Sequence, residues 1–251
     1  MSLLNSISKP QKRNPIITIT GDAGVGKTSL AAEFPAPIFI RAEDGIQSID
    51  SDRMPDSFPV VESVEDVMNQ LSSLIHEEHD YKTLVIDSTT QLEQLFIDHV
   101  VSSDPKKPKS INTAMGGYGA GFGAVSALHG RVRKAAGILN AKKNMTVVFV
   151  AHSDVSQIDL PDSEPFSKYE LRLNKKSVTH YVDNVDLVLY LKLQTFTRGG
   201  DETTKAKAVS TGQRIALVDT HAAHVSKNRY GLTGEILVNK NENPFLNLVN
   251  Q

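Results

Sequence analysis

One short segment has residue types and a spacing that bind phosphate in many proteins. Residues 21–28, with the sequence GDAGVGKT, match the pattern GxxxxGK[ST] at every defined position, which a random chain of this length would do only about once in a hundred. In this pattern the backbone N–H groups face phosphate oxygens, the lysine reaches the β and γ phosphates, and the last hydroxyl binds Mg²⁺. The sequence therefore predicts binding of ATP and Mg²⁺. The residues predicted to contact the nucleotide are Gly21, Asp22, Ala23, Gly24, Val25, Gly26, Lys27, Thr28 and Ser29.

The segments on either side of this loop are the ones that its chemistry requires. Residues 16–20 are β-branched throughout, which predicts a strand buried on both faces. A helix is expected from residue 27 to residue 34, because Pro35 ends it. The loop would thus join the carboxyl end of a strand to the amino end of a helix.

Two further strands bring carboxylates to the same edge. Residues 83–87 (TLVID) end at Asp87, which we predict to hold Mg²⁺ together with Thr28. Residues 37–41 precede Glu43 and Asp44, and either carboxylate could orient the water that attacks the γ-phosphate. We favour Glu43; Asp44 is the competing base, and a solvated acidic turn is the alternative without function.

The remaining pattern predicts one α/β domain. Ser63 opens a helix with a capping box, and apolar residues recur at helical spacing over 92–100 and 122–139. Further strands are predicted at 146–151, 185–193, 215–218 and 235–238, with turns at 198–201 and 230–231 and a polar loop over 153–176. This order predicts a central, mostly parallel sheet flanked by helices, with an antiparallel C-terminal extension. Residues 1–14 are expected to be a flexible arm, and residues 15–251 the ATPase domain.

Composition excludes several classes of protein. The 251 residues include no cysteine, so disulfides, thiolate metal sites and thiol nucleophiles are ruled out. A net charge of -2 provides no overall attraction to nucleic acid, so such binding would need a local patch. The longest apolar run, over 145–151, is far shorter than the roughly 20 residues that span a bilayer. We expect a protein without membrane association, in the cytoplasm.

The order of four segments resembles the RecA-like recombinase core. They are the loop at 21–28, FIRAE at 39–43, LVIDS at 84–88 and VFVAH at 148–152. Over residues 15–240 the chain looks most similar to small phage-encoded ATPases of that lineage, some of which act in recombination or single-strand annealing. The resemblance implies that Glu43 is the hydrolytic base and that His152 replaces the polar sensor, usually glutamine, beside the γ-phosphate. It also implies the host cytoplasm as the location.

A basic segment near the end resembles a hairpin of hexameric helicases and recombinases. In residues 227–235 (KNRYGLTGE), the resemblance implies that Lys227 and Arg229 reach the nucleotide bound by a neighbouring subunit. The active protein would then be a ring or a filament. The alternative is a basic turn on the surface.

Single-stranded DNA is the predicted partner. In the recombinase core, loops after the strands that end at Asp87 and His152 line the DNA channel. The first loop combines Lys106, Lys107 and Lys109 with Tyr118 and Phe122 among glycines, which provides cations for phosphates and rings for stacking. The second, 153–176, mixes both signs of charge and makes a poor groove. A solvated surface loop is the alternative.

Two pairs of histidines are spaced i, i+3. They are His76 with His79 and His221 with His224, and neither pair has a third ligand in register, so exposed histidines at helix ends are the favoured interpretation. The leading functional hypothesis is an ATPase that binds single-stranded DNA in recombination or annealing. The alternatives are a helicase loader or motor, and an assembly scaffold that ATP switches but that hydrolyses little.

Overall fold

The computed structural model describes residues 3–9, 12–162, 164–198 and 207–249. Ten strands and five α-helices form its regular structure, with short 3₁₀ turns between them. The strands are β1 Ile16–Gly21, β2 Pro37–Arg41, β3 Asp56–Ser57, β4 Thr83–Asp87, β5 Thr146–Ile158, β6 Phe166–Leu171, β7 Leu187–Arg198, β8 Lys207–Leu217, β9 Lys227–Asn228 and β10 Glu235–Val238. The helices are α1 Lys27–Ala32, α2 Val64–His76, α3 Thr89–Ser103, α4 Ala120–Lys143 and α5 Lys175–Val182.

Eight strands lie in the order β10-β8-β7-β1-β5-β4-β2-β3, while β6 pairs with β5 and β9 pairs with β7. Strands β7, β1, β5, β4, β2 and β3 run parallel, whereas β8 and β10 are antiparallel additions. All six residues of β1 are buried, because helices and loops cover both faces of the sheet. The predicted fold class, a mostly parallel α/β sheet with an antiparallel C-terminal extension, is confirmed.

Each face of the sheet has its own apolar core. On one face Ile17 and Ile19 of β1 pack with Leu30 of α1 and with Phe245 from the end of the chain. The other face, covered by α2 to α5, includes Phe149 of β5. Because side chains alternate along a strand, Ile17 and Ile19 of β1 belong to the first core and Ile16 belongs to the second.

The predicted starts of several elements are confirmed. Ser63 caps α2 as expected: its hydroxyl accepts the backbone N–H of Asp66, and the Asp66 carboxylate accepts the backbone N–H of Ser63. Strands β1, β2, β4 and β10 lie where the pattern placed them. Helix α1 is shorter than predicted and ends at Ala32, before Pro35.

The polar loop predicted over 153–176 is wrong. Strand β5 continues past the sheet to Ile158 and pairs with β6 in an antiparallel hairpin, and α5 follows. The outer half of β5 is largely exposed, so its residues are polar and lack the apolar signal of a buried strand. Phe122 belongs to the first turn of α4 and not to the loop before it.

The predicted arm is anchored at its last residue. Asn14 is buried, and its side-chain amide donates to the carbonyl of Asn144 at 2.5 Å while its own carbonyl accepts the amide of Asn140 at 2.7 Å. Residues 1, 2, 10 and 11 of the arm, and most of the turn predicted at 198–201, lie outside the described residues. Within the part of the chain that is described, no helix is both long and apolar enough to cross a membrane.

Candidate nucleotide site

A cavity of about 640 Å³ lies at the carboxyl edge of the parallel strands. The loop between β1 and α1 forms its floor. The backbone of Gly21 passes so close to β7 that a Cβ there would collide with the carbonyl oxygen of Leu191. Gly26 has φ 94°, a left-handed conformation that side chains rarely adopt. Both glycines are thus required by the curl of the loop.

Lys27 lies beneath this curl and is buried. Its Nζ donates to the carbonyl of Gly21 at 2.9 Å and to the carbonyl of Asp22 at 2.8 Å. Burial lowers the pKa of Lys27, while Asp87 and Glu43 nearby favour its charged form. Two neutral carbonyls therefore hold the ammonium group at the loop. A phosphate that enters the loop could replace them as its hydrogen-bond partner.

Thr28 and Asp87 both line the cavity. The Thr28 hydroxyl donates to Oδ2 of Asp87 at 2.7 Å. Oδ1 of Asp87 is buried and has no hydrogen-bond partner among the described residues. Burial raises the pKa of Asp87 to about 6. A buried carboxylate oxygen without a partner beside a threonine hydroxyl fits Mg²⁺, a hard cation that takes oxygen ligands.

Glu43 and His152 both line the cavity and contact each other. Nε2 of His152 lies 3.3 Å from Oε1 of Glu43, and this hydrogen bond lowers the pKa of the carboxyl group. The backbone N–H of His152 donates to the Thr90 hydroxyl at 2.9 Å, which fixes the end of the buried part of β5. Asp44 instead pairs with Arg41 at 2.9 Å and is not among the residues that line the cavity.

Sequence reasoning missed Arg214, which lies in β8. Its guanidinium group sits directly over the phosphate loop, where a Cβ on Gly26 would collide with it, and it donates to the carbonyl of Asn239 at 2.9 Å. Lys240 lies on the outer rim of the cavity and pairs with Asp50 at 3.4 Å. No pattern around Arg214 marks it, because strand pairing across the extension is what brings it to the loop.

Lys227 and Arg229 lie at the other edge of the sheet. Strand β9 pairs with the start of β7, far along the strand from Leu191, which neighbours Gly21. The Lys227 ammonium group donates to the carbonyl of Asp183 at 2.6 Å, just after α5, and Arg229 pairs with Asp186 at 2.9 Å. Lys227 is half-buried in a strand pair, whereas Arg229 is exposed, and each has a partner within its own chain. Their role at the nucleotide of a neighbouring subunit stays a prediction.

Hydrogen bonds hold the ends of the lysine-rich loop over 104–119, whereas several side chains of the loop are exposed. The buried Asp104 carboxylate accepts the backbone N–H groups of Lys106 at 2.9 Å and Met115 at 2.6 Å. Lys176 of α5 donates to the carbonyl of Gly119 at 2.6 Å. The Tyr118 side chain is fully exposed, and its φ is 51°. The predicted lysines Lys106, Lys107 and Lys109 are exposed as well.

The histidine pairs do not both lie at helix ends. His76 is the last residue of α2, and His79 follows the helix with its Nε2 3.0 Å from the carbonyl of Leu74. His221 and His224 lie between β8 and β9, outside any helix, and His224 is buried. The interpretation as exposed helix-end residues is therefore wrong for this pair: His221 is exposed but lies outside any helix, and the buried His224 ring is stacked on it.

The fold and the loop together define a P-loop nucleotide-binding core. The model of the AAA domain family matches residues 13–230, and the chain belongs to this family. It thus has an ATPase-type core, for which binding of a nucleotide, typically with Mg²⁺, is the expected property. No curated protein is significantly similar to the chain.

Proposed function

We propose that the protein is a RecA-like ATPase that hydrolyses ATP, binds single-stranded DNA and supports recombination or strand annealing. The observation that carries the first part is the convergence of Lys27, Thr28, Asp87, Glu43 and His152 on one cavity from four different strands and loops. A phosphate loop alone would bind a nucleotide. A carboxylate and an imidazole facing that loop add the groups that hydrolysis requires.

Each residue has a role that its surroundings support. The loop N–H groups and Lys27 bind the phosphates, and Thr28 and Asp87 hold Mg²⁺, which neutralises charge that develops on them. Glu43 stays ionised at neutral pH because the hydrogen bond from His152 lowers its pKa. It can therefore orient the attacking water and accept its proton. His152 keeps the Glu43 carboxylate in place, as a polar sensor would.

The loop over 104–119 supports the proposal of DNA binding. Three exposed lysines would contact phosphates, and the fully exposed Tyr118 ring would stack on a base. Phe122 is half-buried in α4, so the loop has one free ring and not two. The loop follows α3, the helix that begins just after Asp87. A movement of Asp87 when the nucleotide changes could therefore be transmitted through α3 to the loop.

The rate of ATP hydrolysis with and without oligo-dT tests this function. We expect Mg²⁺-dependent hydrolysis that single-stranded DNA accelerates and that Lys27→Ala abolishes. If the protein hydrolyses ATP but does not bind single-stranded DNA and is not stimulated by it, an assembly scaffold switched by ATP would be favoured. Translocation on a forked duplex would favour a motor or loader.

Variants of the loop separate its two contributions. Changing Lys106, Lys107 and Lys109 to Gln should flatten the salt dependence of DNA affinity by up to about three phosphate contacts. Tyr118→Ala should cost about 1 to 3 kcal/mol and leave the slope unchanged, and Tyr118→Trp should bind normally. The matched control changes three exposed lysines elsewhere, Lys82, Lys134 and Lys142, to Gln. Equal effects of the two triple variants would argue against the loop.

Self-association into a ring or a filament is part of the proposal. In such an assembly Lys227 or Arg229 of one subunit would reach the nucleotide of the next, after leaving Asp183 or Asp186. Mixing Arg229→Ala subunits with Lys27→Ala subunits should then restore activity, because some interfaces receive one intact contribution from each side. Absence of rescue at every ratio, with both variants assembling, would count against a shared site.

A further inference from the structure

Four rings from three separate segments form one stack. Tyr169 of β6 stacks on Tyr190 of β7 with centroids 4.9 Å apart and planes inclined by 24°. Tyr190 also stacks on His224, at 5.9 Å and 15°. His224 then stacks on His221, at 5.2 Å and 12°. We refer to Tyr169, Tyr190, His224 and His221 as the ring stack.

The ring stack lines a cavity of about 330 Å³ that is distinct from the nucleotide site. Tyr190, Leu217 and Glu235 are direct neighbours on three adjacent strands, and all three line this cavity. Three paired rows further along these strands, Leu193 and Arg214 line the nucleotide cavity. Because successive side chains of a strand point to opposite faces, the sheet separates the two cavities.

The stack has exposed ends and a buried centre. Tyr169 is 39% exposed and His221 is also exposed, whereas Tyr190 and His224 are 2% and 8% exposed. An exposed ring at the end of a stack leaves one π-face without a neighbour, so it can take a further planar ring. The cavity thus offers the exposed rings of Tyr169 and His221 for stacking.

The centre of the stack also offers an unused polar atom. Nδ1 of His224 is buried and has no hydrogen-bond partner among the described residues. Burial lowers the pKa of His224, and Lys192 and Lys168 nearby lower it further, so the ring is neutral at physiological pH. A neutral imidazole nitrogen can form a hydrogen bond with the edge of a heteroaromatic ring. A buried nitrogen without a hydrogen-bond partner costs free energy, which such a bond would recover.

We propose that the ring stack and its cavity bind a base of single-stranded DNA, as a second contact besides the loop over 104–119. The proposal rests on the proposed DNA binding and names a further site for it. Stacked rings accept any base, Lys192 lines the cavity and can contact a phosphate of the strand, and Asp219 and Glu235 can accept the amino group of a base.

This site is connected to the phosphate loop. The Tyr190 hydroxyl faces the side chain of Ser153, whose own hydroxyl donates to Oδ1 of Asp22 at 2.6 Å. Asp22 is a residue of the phosphate loop. Tyr190, Ser153 and Asp22 would therefore link a base bound on the ring stack to a nucleotide bound on the loop.

Binding of labelled oligo-dT, and of an abasic strand of the same length, tests the proposal. Tyr169→Ala and His221→Ala should each weaken oligo-dT binding roughly 5- to 150-fold, the cost of one stacked base. Tyr169→Trp should restore it, and binding of the abasic strand should not change. Leu160→Ala, an exposed apolar residue in the turn that joins β5 to β6, is the matched control. An unaltered affinity for ATP verifies that each variant is folded.

Crosslinking with an oligonucleotide that contains 5-iodouracil locates the base directly. A crosslink at Tyr169 or His221 supports the proposal. Crosslinks at Tyr118 alone, with normal oligo-dT binding by Tyr169→Ala and His221→Ala, would overturn it and leave the proposed function intact. If the wild-type protein binds no DNA with ATP present, both the proposed DNA binding and this site are wrong.

Discussion

Each edge of the parallel sheet carries a lysine and an arginine, but the two pairs differ in their surroundings and in the groups that bind them. At the carboxyl edge, Lys27 is buried under a curled loop and Arg214 lies over the same loop inside the cavity. At the other edge, Lys227 is bound to the carbonyls that follow α5, and Arg229 is paired with Asp186. A cation is available to a ligand when its present partners are weaker than that ligand. Lys27 meets this condition because its partners are neutral carbonyls and it lines an open cavity, whereas Arg229 is held by a carboxylate.

The largest expected effect comes from Lys27. Lys27→Ala removes the buried ammonium group that faces the phosphates, and we expect ATP affinity to fall by at least about 100-fold, or about 3 kcal/mol. Isothermal titration with a non-hydrolysable ATP analogue measures this. If Lys27→Ala binds the ATP analogue as tightly as the wild type does, Lys27 is not a cation that the ligand uses, and the contrast between the two edges fails.

Glu43 should affect turnover and not binding. Glu43→Gln keeps the shape of the side chain but cannot accept a proton, so kcat should fall by about 100-fold or more with ATP affinity retained. Asp44→Asn is the matched control, since the Asp44 carboxylate faces Arg41 and not the cavity. If Asp44→Asn lowers kcat instead, Asp44 is the base.

Arg214 sharpens the comparison at the carboxyl edge itself. Arg214→Ala should weaken ATP binding by about 10- to 100-fold, as expected for a charge-assisted hydrogen bond to phosphate. Lys240→Ala serves as the control: this lysine is on the rim of the same cavity, mostly exposed and paired with Asp50. Its loss should change affinity by no more than about 1 kcal/mol. Equal effects of the two variants would show that Arg214 acts only through overall charge.

The smallest effect is expected at the opposite edge. Arg229→Ala removes an exposed ion pair, so the free energy of unfolding should change by about 0 to 1 kcal/mol and ATP affinity of dilute subunits should be unchanged. Chemical denaturation and titration with the same analogue measure both. Loss of ATP affinity in the isolated subunit would break the comparison, because the cation would then act within its own chain.

Much of the site was predictable because its signal is local. Residues 21–29 are contiguous, so loop, strand and helix appear together in the sequence, and Asp87 follows from a buried strand that ends in a carboxylate. The hairpin of β5 and β6 was not predictable in the same way. Its residues alternate between exposed and partly buried positions outside the main sheet, so no apolar run marks it.

The sequence by itself determined the fold class, the phosphate loop and the P-loop ATPase type of the core. Only the tertiary structure decided which acidic residue faces the cavity, because Glu43 and Asp44 are adjacent and the direction of each side chain depends on the partners His152 and Arg41. The same holds for Arg214 over Gly26 and for the ring stack. These contacts join residues that are far apart in the chain, and pairing of strands is the physical reason that they meet.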